Sequence, residues 1–297
     1  MSLVSLVEAH NRSDLVQAIS RSLDLIKYQF AEEVENVVIK PNMCYYWDYS
    51  TGETTDPAFV AALVDVIRSK VAHNVKISVV ESDASAMKCK YAFKFLGYEK
   101  MAADHGIDLV NLSEEKSERV EISVGDELFH FTVPKIIRNA DLRVNVPKIK
   151  YQTFTKISCA LKNIYGCNPY PKKFKYHQKI DQIIVALNKI MKFDLCVVDG
   201  VVVSGSQPRK LGLVMASHDL VAIDVAAAKL LQVNPRSVRH IMLASKERIG
   251  DTSFITTGFS LGHFKKRFPR MGAKEKLMDF GYKLVNTLGL NHRLGLA

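Results

Sequence analysis

The most constraining feature of this sequence is a regular alternation of short apolar runs with segments of helical periodicity. Val- and Ile-rich runs at residues 37–41, 75–82 and 107–113 are typical of buried strands. Between the first two, Asp56 and Pro57 indicate a helix start, because aspartate caps a helix and proline has no amide hydrogen to leave unbonded. The succession predicts an α/β fold, with a mostly parallel sheet and helices on both faces.

Further elements follow the same periodicities. Helical spacing is found at residues 13–30, 88–105, 155–165, 178–191 and 220–231, and strand-like runs at 140–147, 194–203 and 211–217. Ser13 is the expected cap of the helix at residues 13–30, and Gly97 is expected to weaken or break the helix at residues 88–105. Two alternating runs around Gly125 and Asp126 predict a β-hairpin insertion or edge.

The domain organisation is predicted from where this alternation stops. We expect residues 1–250 to form one α/β domain, and a boundary between two lobes would fall near residues 140–150. Residues 251–297 are expected to form a basic, helical C-terminal extension, in which residues 274–288 carry an amphipathic pattern suited to packing or to touching a membrane.

The composition is that of a globular protein, with 47% apolar and 24% charged residues among 297. No run reaches the ~18 apolar residues of a membrane-spanning helix, and the first residues lack the pattern of a signal peptide, so a cytoplasmic location is predicted. The five cysteines are scattered and contain no C-x-x-C pair. They predict reduced, mostly buried thiols, with neither a zinc ribbon nor an iron–sulfur cluster.

The net charge of +10 favours an anionic partner, and part of the excess lies in two basic runs at residues 172–175 and 263–270. Either run is explained by a solvated basic face. Their interleaved aromatic residues leave open binding to nucleic acid, but neither run belongs to a nucleic-acid motif, so this alternative is disfavoured.

Polar side chains lie at or just after the ends of three predicted strands. Lys40 and Asn42 follow one strand, Asn145 and Lys148 another, and Asp199 a third. In parallel sheets ligands bind beyond the carboxyl ends of the strands, so these side chains are expected to share one site. Lysine and asparagine donate to oxyanions, whereas aspartate can hold a metal, a sugar hydroxyl or a proton.

The predicted helix at residues 155–165 supports such a site. Thr155, Cys159 and Lys162 would share one face, flanked by Asn163, and this mixture suits a pocket better than open solvent. A helix packed on both sides is the alternative. His177 can serve as acid, base or ligand, or be an ordinary loop histidine. Cys159 is a weak nucleophile candidate because no histidine partner can be named, and the turn at 204–208 matches no known phosphate-binding motif.

Several ordered blocks resemble the domain-of-unknown-function family numbered 362. They include VVIKPNMC at Val37, ADLRVNVPKIK at Ala140, TKISCALKNIYG at Thr155 and VVDGVVVSG at Val197. The resemblance implies that these polar positions are shared with the family: Lys40, Asn42, Asp56, Glu81, Asn145, Lys148, Thr155, Lys162, Asn163, Gly166, His177, Asp199, Gly200 and Asp224.

Family members are often described as iron–sulfur proteins because many carry an appended ferredoxin module, which this sequence does not contain, so no cluster is predicted. The sequence departs from the family at Tyr151 and Gln152, where a Thr-His pair is usual, and at 204–208, where an acidic glycine-rich turn is usual. These departures imply altered or lost activity if the missing groups belong to the site. No motif supports a more distant similarity to the nickel-pincer lactate racemase family, which also uses two α/β lobes.

We therefore predict an enzyme, or an enzyme-derived protein, that binds a small anionic metabolite carrying phosphate or carboxylate at the strand ends. The lysines would hold the anion, the asparagines would orient it, and Asp199, with Glu81, would act as base or metal ligand. The residues assigned to catalysis are Lys148, Lys162, His177 and Asp199. The residues assigned to ligand binding are Lys40, Asn42, Asp56, Glu81, Asn145, Thr155, Asn163 and Ser204.

A non-catalytic accessory protein is the main alternative, and it would use the basic runs to dock an acidic iron–sulfur or redox protein. The sequence indicates no particular cofactor and no oligomeric state. It also leaves the substrate and the class of reaction open.

Overall fold

The computed structural model describes residues 1–31, 33–71, 75–270 and 272. Its strands are β1 (Ser2–Glu8), β2 (Asn36–Pro41), β3 (Lys76–Glu81), β4 (Asp108–Asn111), β5 (Ser117–Val124), β6 (Glu127–Pro134), β7 (Leu142–Val146), β8 (Lys150–Gln152), β9 (Lys156–Ser158), β10 (Leu195–Val203), β11 (Arg209–Ser217) and β12 (Phe254–Gly258). Eight of them form one sheet in the order β12-β1-β11-β10-β7-β2-β3-β4. Every neighbouring pair in this sheet is parallel except the two that β11 makes with β1 and β10. The predicted mostly parallel α/β sheet is confirmed.

Helices cover both faces of this sheet. They are α1 (Leu15–Leu25), α2 (Pro57–Lys70), α3 (Cys89–Phe95), α4 (Tyr98–His105), α5 (Lys135–Arg138), α6 (Ala160–Ile164), α7 (Ile180–Met191), α8 (Leu220–Leu230), α9 (Arg239–Lys246) and α10 (Leu261–Lys265). Alternate side chains of β2 enter different apolar cores, Val38 with α6, α7 and α8, and Val37 and Ile39 with α1 and α2. The sheet is thus buried on both sides, as the continuous apolar runs predict.

Local signals fixed several element boundaries correctly. Asp56 caps α2, and its side chain accepts a 2.9 Å hydrogen bond from the amide of Ala58. Gly97 separates α3 from α4 and has a φ of 81°, a left-handed conformation that suits glycine. The predicted hairpin is β5–β6, in which Val124 pairs with Glu127.

The predicted helix at residues 155–165 is wrong in its first half. Residues 156–158 form β9, which pairs with β8, and Lys156 has a φ of 65° that interrupts a right-handed helix. The Thr155 hydroxyl donates to the Ile157 carbonyl at 2.8 Å, a local bond that competes with helical ones. Helix α6 begins at Ala160 because Asp224, on α8, accepts hydrogen bonds from the Ala160 and Leu161 amides at 2.6 and 3.3 Å.

Other elements also differ from the sequence prediction. The first helix spans only Leu15–Leu25, and Asn11 rather than Ser13 caps the short turn before it. Strand β12 falls in the segment predicted as an extension and pairs in parallel with β1. Residues 274–288 lie outside the described residues. Within the described ranges, no helix combines the length and apolar character needed to cross a membrane.

Candidate functional site

A cavity of about 660 Å³ opens beyond the carboxyl ends of β2 and β3. Its polar lining comes from the ends of these strands and from the segments around β8, β9 and α6. Six of the sequence-predicted site residues line it: Lys40, Asn42, Glu81, Lys162, Asn163 and His177. The other six, which are Lys148, Asp199, Asp56, Asn145, Thr155 and Ser204, are absent from its lining.

Lys40 and Glu81 form a buried ion pair at the strand ends. The Lys40 Nζ lies 2.8 Å from Glu81 Oε2 and donates to the Pro41 carbonyl at 2.6 Å. The other Glu81 oxygen accepts the Ser82 amide at 2.9 Å. Gly166 packs against this pair so closely that a Cβ there would lie 2.9 Å from the lysine Nζ. The pair therefore forms a compact floor on which only a glycine fits without displacement.

Lys148 and Asp199 form a second buried pair beside β10. Their Nζ and Oδ2 atoms lie 3.0 Å apart, and both side chains are 1% exposed. Asp199 also accepts the amides of Asp56 and Val201 at 2.9 and 3.1 Å. Burial lowers the pKa of Lys148, and Asp199 opposes that effect. The pair thus joins β10 to the start of α2.

Asp56 is linked to this ion pair through its backbone amide, which donates to Asp199. Its carboxylate caps α2 and also receives the Arg12 guanidinium at 3.0 Å. Burial raises the pKa of Asp56, and the Ala58 amide and Arg12 counteract part of that rise. Its contacts account for both carboxylate oxygens without a ligand.

Three asparagines tie the surrounding segments together. Asn163 Nδ2 donates to the Lys40 carbonyl at 3.1 Å and to Asn145 Oδ1 at 2.7 Å. Asn145 in turn donates to the Ala160 carbonyl at 2.9 Å, and Asn42 donates to the Glu53 carbonyl at 2.6 Å. These amides hold α6 and the segment after β2 against the ends of the strands.

Lys162 differs from the other lysines of the site. It lines the cavity and is half-buried, and its Nζ has no hydrogen-bond or ion-pair partner among the residues that the structure describes. Burial lowers the pKa of Lys162 to about 8, and the neighbouring Lys150 contributes to the decrease. A cation of this kind is available to a ligand.

Two lysines that sequence reasoning did not assign to the site also line the cavity. Lys150 Nζ contacts Glu53, at 3.2 Å from Oε2 and 3.1 Å from the carbonyl oxygen. Lys173 Nζ donates to Ser82 Oγ at 2.6 Å, and burial lowers the pKa of Lys173 to about 8. Lys173 was interpreted as part of a solvated basic run. Lys150 had a signal in the sequence, since it lies two residues after Lys148 in the segment that leaves β7.

His177 lies on the wall of the cavity. Its ring centroid is 4.9 Å from that of Phe154, and burial, together with Lys162, lowers its pKa. The lining also contains apolar and aromatic residues, among them Met43, Tyr45, Trp47, Met87 and Tyr151. Tyr45 and Trp47 are 44% and 50% exposed, which places them at the mouth.

The remaining candidates lie elsewhere. Thr155 is buried in the β8–β9 hairpin, and Ser204 is packed against Gly52, where a Cβ would lie 2.3 Å from the Ser204 amide nitrogen. Cys159 is buried at the start of α6, and its pKa is raised by burial and by Asp224. All five cysteines are free and four are buried, as predicted.

The carboxylates predicted as metal ligands, Glu81 and Asp199, each contact a lysine and lie in separate ion pairs. Across residues 1–31, 33–71, 75–270 and 272, no group of three or more His, Cys, Asp or Glu side chains could hold a metal ion. The lining contains four lysines, and lysine ammonium groups can bind anions through charge-assisted hydrogen bonds.

Comparison with known proteins gives one relative by sequence and one similar solved structure. The thylakoid-associated protein sll1697 of Synechocystis is 28% identical over 138 residues, which cover 42% of each chain. The present chain thus spans less than half of the length of that relative. The lactate racemase apoprotein from Thermoanaerobacterium thermosaccharolyticum superposes with a TM-score of 0.49 at 14% identity, over 78% of this chain and 58% of that one.

A family model described as a domain of unknown function, DUF362, matches residues 37–229. The match includes β2, β3, β7, α6 and β10, and with them every residue that the sequence assigned to the site. The chain belongs to the DUF362 family.

Proposed function

We propose that this protein is an enzyme, or is derived from one, and that it binds a small anionic metabolite in the cavity beyond β2 and β3. The ligand carries a carboxylate or a phosphate group. The observation that carries this proposal is the Lys162 ammonium group, which lines the cavity and has no partner among the described residues. A half-buried cation without a counter-ion is costly, and an anionic ligand would supply the missing charge.

The charge balance of the lining supports an anion. The lining contains four lysines and two glutamates, namely Lys40, Lys150, Lys162, Lys173, Glu53 and Glu81. Its other ionisable residues are His177, the tyrosines and a cysteine. Glu81 is paired with Lys40, and Glu53 with Lys150. The positive charges of Lys162 and Lys173 remain uncompensated by a carboxylate in the lining. A monoanion or dianion would therefore complete the site.

The size and the apolar wall restrict the ligand further. Cavities of about 300–1,000 Å³ are typical of small-molecule sites, and this one lies within that range. Trp47, Tyr45 and Phe154 add aromatic surface to the same lining as the lysines. We infer a metabolite that has one anionic end and a short carbon skeleton.

In this proposal the two buried ion pairs support the site. Lys148 and Asp199 are absent from the lining, so we assign them to holding β10 and the start of α2 together rather than to touching the ligand. Lys40 and Glu81 line the floor, and Asn163 positions the segment that carries Lys162. We also propose that the protein acts in the cytoplasm, although the relative sll1697 is described as thylakoid-associated.

The test is binding of three probes, malonate, pyruvate and inorganic phosphate, measured by calorimetry and by thermal shift. At least one probe should bind wild type, and Lys162→Gln should weaken that binding by about tenfold or more, as expected for loss of a charge-assisted hydrogen bond. Lys100→Gln is the control, because Lys100 is an exposed lysine on α4 that does not line the cavity. Equal binding by wild type and Lys162→Gln would contradict the proposal.

A further inference from the structure

The five lysines of the site fall into two classes. Four of them, which are Lys40, Lys148, Lys150 and Lys173, have an acceptor within 3.2 Å of Nζ. For Lys162 the described part of the chain provides no acceptor. Three of the paired amines are locked to carboxylates, which favour the protonated form, and the fourth donates to a hydroxyl.

An amine that is unpaired, partly desolvated and close to another cation is the form of lysine that acts as a nucleophile. Lys162 meets these conditions, since it lies on the cavity wall, and the charge of Lys150, which lines the same cavity, acts on it. With a pKa of about 8, on the order of a tenth of its molecules carry a neutral amine at pH 7. The same lysine is partly exposed, and the cavity that it lines also includes the exposed side chains of Tyr45 and Trp47.

We propose that Lys162 forms an imine with the carbonyl carbon of its ligand, and that the ligand class is small oxo acids. The inference rests on the proposed anion site and adds a reactive group to it. We place the carboxylate of the oxo acid at Lys173, whose ammonium group lines the same cavity and donates to a hydroxyl rather than to a carboxylate. This orientation directs the carbonyl carbon toward Lys162, which has no competing partner among the described residues.

The step balances without a further reactant. The lone pair of the neutral Lys162 Nζ attacks the carbonyl carbon, a C–N bond forms, and the carbonyl oxygen takes a proton to give a carbinolamine. The carbinolamine hydroxyl then takes a proton and leaves as water while the nitrogen lone pair forms the C=N bond. Loss of the proton that remains on nitrogen gives the neutral imine, so that one amine and one carbonyl yield one imine and one water. The condensation is not a redox reaction, so it needs neither an oxidant nor a reductant.

His177 is the residue placed to move a proton in this step. It lines the cavity and is close enough to Lys162 for the lysine charge to lower its pKa. An imidazole that is mostly neutral at pH 7 can accept the proton from nitrogen and return it to the departing hydroxyl.

The test is reductive trapping on the full-length chain. Wild type is incubated with glyoxylate, pyruvate or 2-oxoglutarate in the presence of sodium cyanoborohydride, and the modified lysines are located by peptide mass spectrometry. We expect at least one probe to modify Lys162 at least tenfold faster than Lys100, which serves as the exposed reference lysine on α4. Lys162→Arg, which keeps the charge but forms no stable imine, should abolish the fast adduct.

The outcomes separate this inference from the proposed function. Malonate, which has no ketone or aldehyde, is titrated in parallel. If malonate binds and no probe modifies Lys162 faster than Lys100, the imine is excluded while the anion site stands. If neither malonate nor any oxo acid binds or reacts at Lys162, both are contradicted. Because the wild-type peptide map identifies the lysine directly, the result does not depend on whether Lys162→Arg folds.

Discussion

The side-chain amide of Asn163 donates a 2.7 Å hydrogen bond to the side-chain oxygen of Asn145, and both residues are buried. This bond joins α6 to the end of β7, and Asn145 adds a second link through the Ala160 carbonyl. Lys162 immediately precedes Asn163 in the chain. The position of the free lysine in the cavity is therefore set by a pair of amides in the core.

Asn145→Ala is predicted to lower the free energy of unfolding by about 1–3 kcal/mol, because it leaves the Asn163 amide and the Ala160 carbonyl without their buried partner. Urea denaturation measures this loss. Asn139→Ala, at an exposed position after α5, is the control and should change stability by no more than about 0.5 kcal/mol. Equal losses in the two variants would argue against the amide link.

Lys148→Met is predicted to destabilise the fold by about 3–5 kcal/mol, since it leaves the Asp199 carboxylate buried without its cation. Adding Asp199→Asn should recover part of the loss, because the unpaired charge is then removed. Chemical denaturation of the single and double variants gives the coupling. Lys100→Met breaks an exposed pair with Asp104 and should have little effect. A double variant less stable than Lys148→Met would contradict the buried Lys148–Asp199 ion pair as the cause of the loss.

Several boundaries of helices and strands could be predicted from neighbouring residues in the sequence, and others could not. Asp56 with Pro57, Gly97 and the hairpin are visible because each signal lies within a few residues of the boundary it sets. Strand β1 has no such flanking signal, and its place is decided by pairing with β11 and β12, which are distant in sequence. The start of α6 was misplaced for a related reason, since its capping carboxylate comes from Asp224 on α8.

The same distinction applies to the site. Polar residues at the strand ends were found from the sequence, but their partners could not be, because Lys40 meets Glu81 and Lys148 meets Asp199 only when the sheet is assembled. Which lysine stays free is thus a property of the three-dimensional structure. Lys173 was hidden among exposed lysines, since nothing local shows that its side chain reaches Ser82.

Lys162 is predicted to make the protein more stable as the pH rises from about 8 toward 10.5. Burial lowers the pKa of its amine to about 8 in the fold from an ordinary value of 10.5. Between these values the unfolded chain binds more protons, so the free energy of unfolding rises with pH, whereas below about pH 8 both states are protonated and the effect is constant.

Denaturation of wild type and of Lys162→Gln at about pH 7 to 10 checks this dependence. The range begins below the folded-state pKa of about 8 and extends toward the ordinary value of 10.5. The difference in stability between the two proteins should move in favour of wild type as the pH increases. Parallel curves over the whole range would show that Lys162 titrates alike in both states. A saturating anionic probe should raise the pKa of Lys162, because it favours the charged amine.

Cys44 is predicted to be the thiol that iodoacetamide labels in the native protein. It is half-buried and lines the cavity, whereas the other four cysteines are buried. Burial also raises the pKa of Cys167 to about 12, which leaves almost no thiolate to react. Mass spectrometry after brief labelling should locate the adduct, and malonate should slow its formation. Rapid labelling of Cys89 or Cys167 in folded protein would contradict the described burial.

The most direct measurement is a crystal structure of the protein soaked with malonate. We predict density for malonate inside the cavity, with a carboxylate oxygen within hydrogen-bond distance of Lys162 Nζ and the Lys40–Glu81 pair intact. Malonate bound only to exposed lysines, with the cavity holding water alone, would contradict the account.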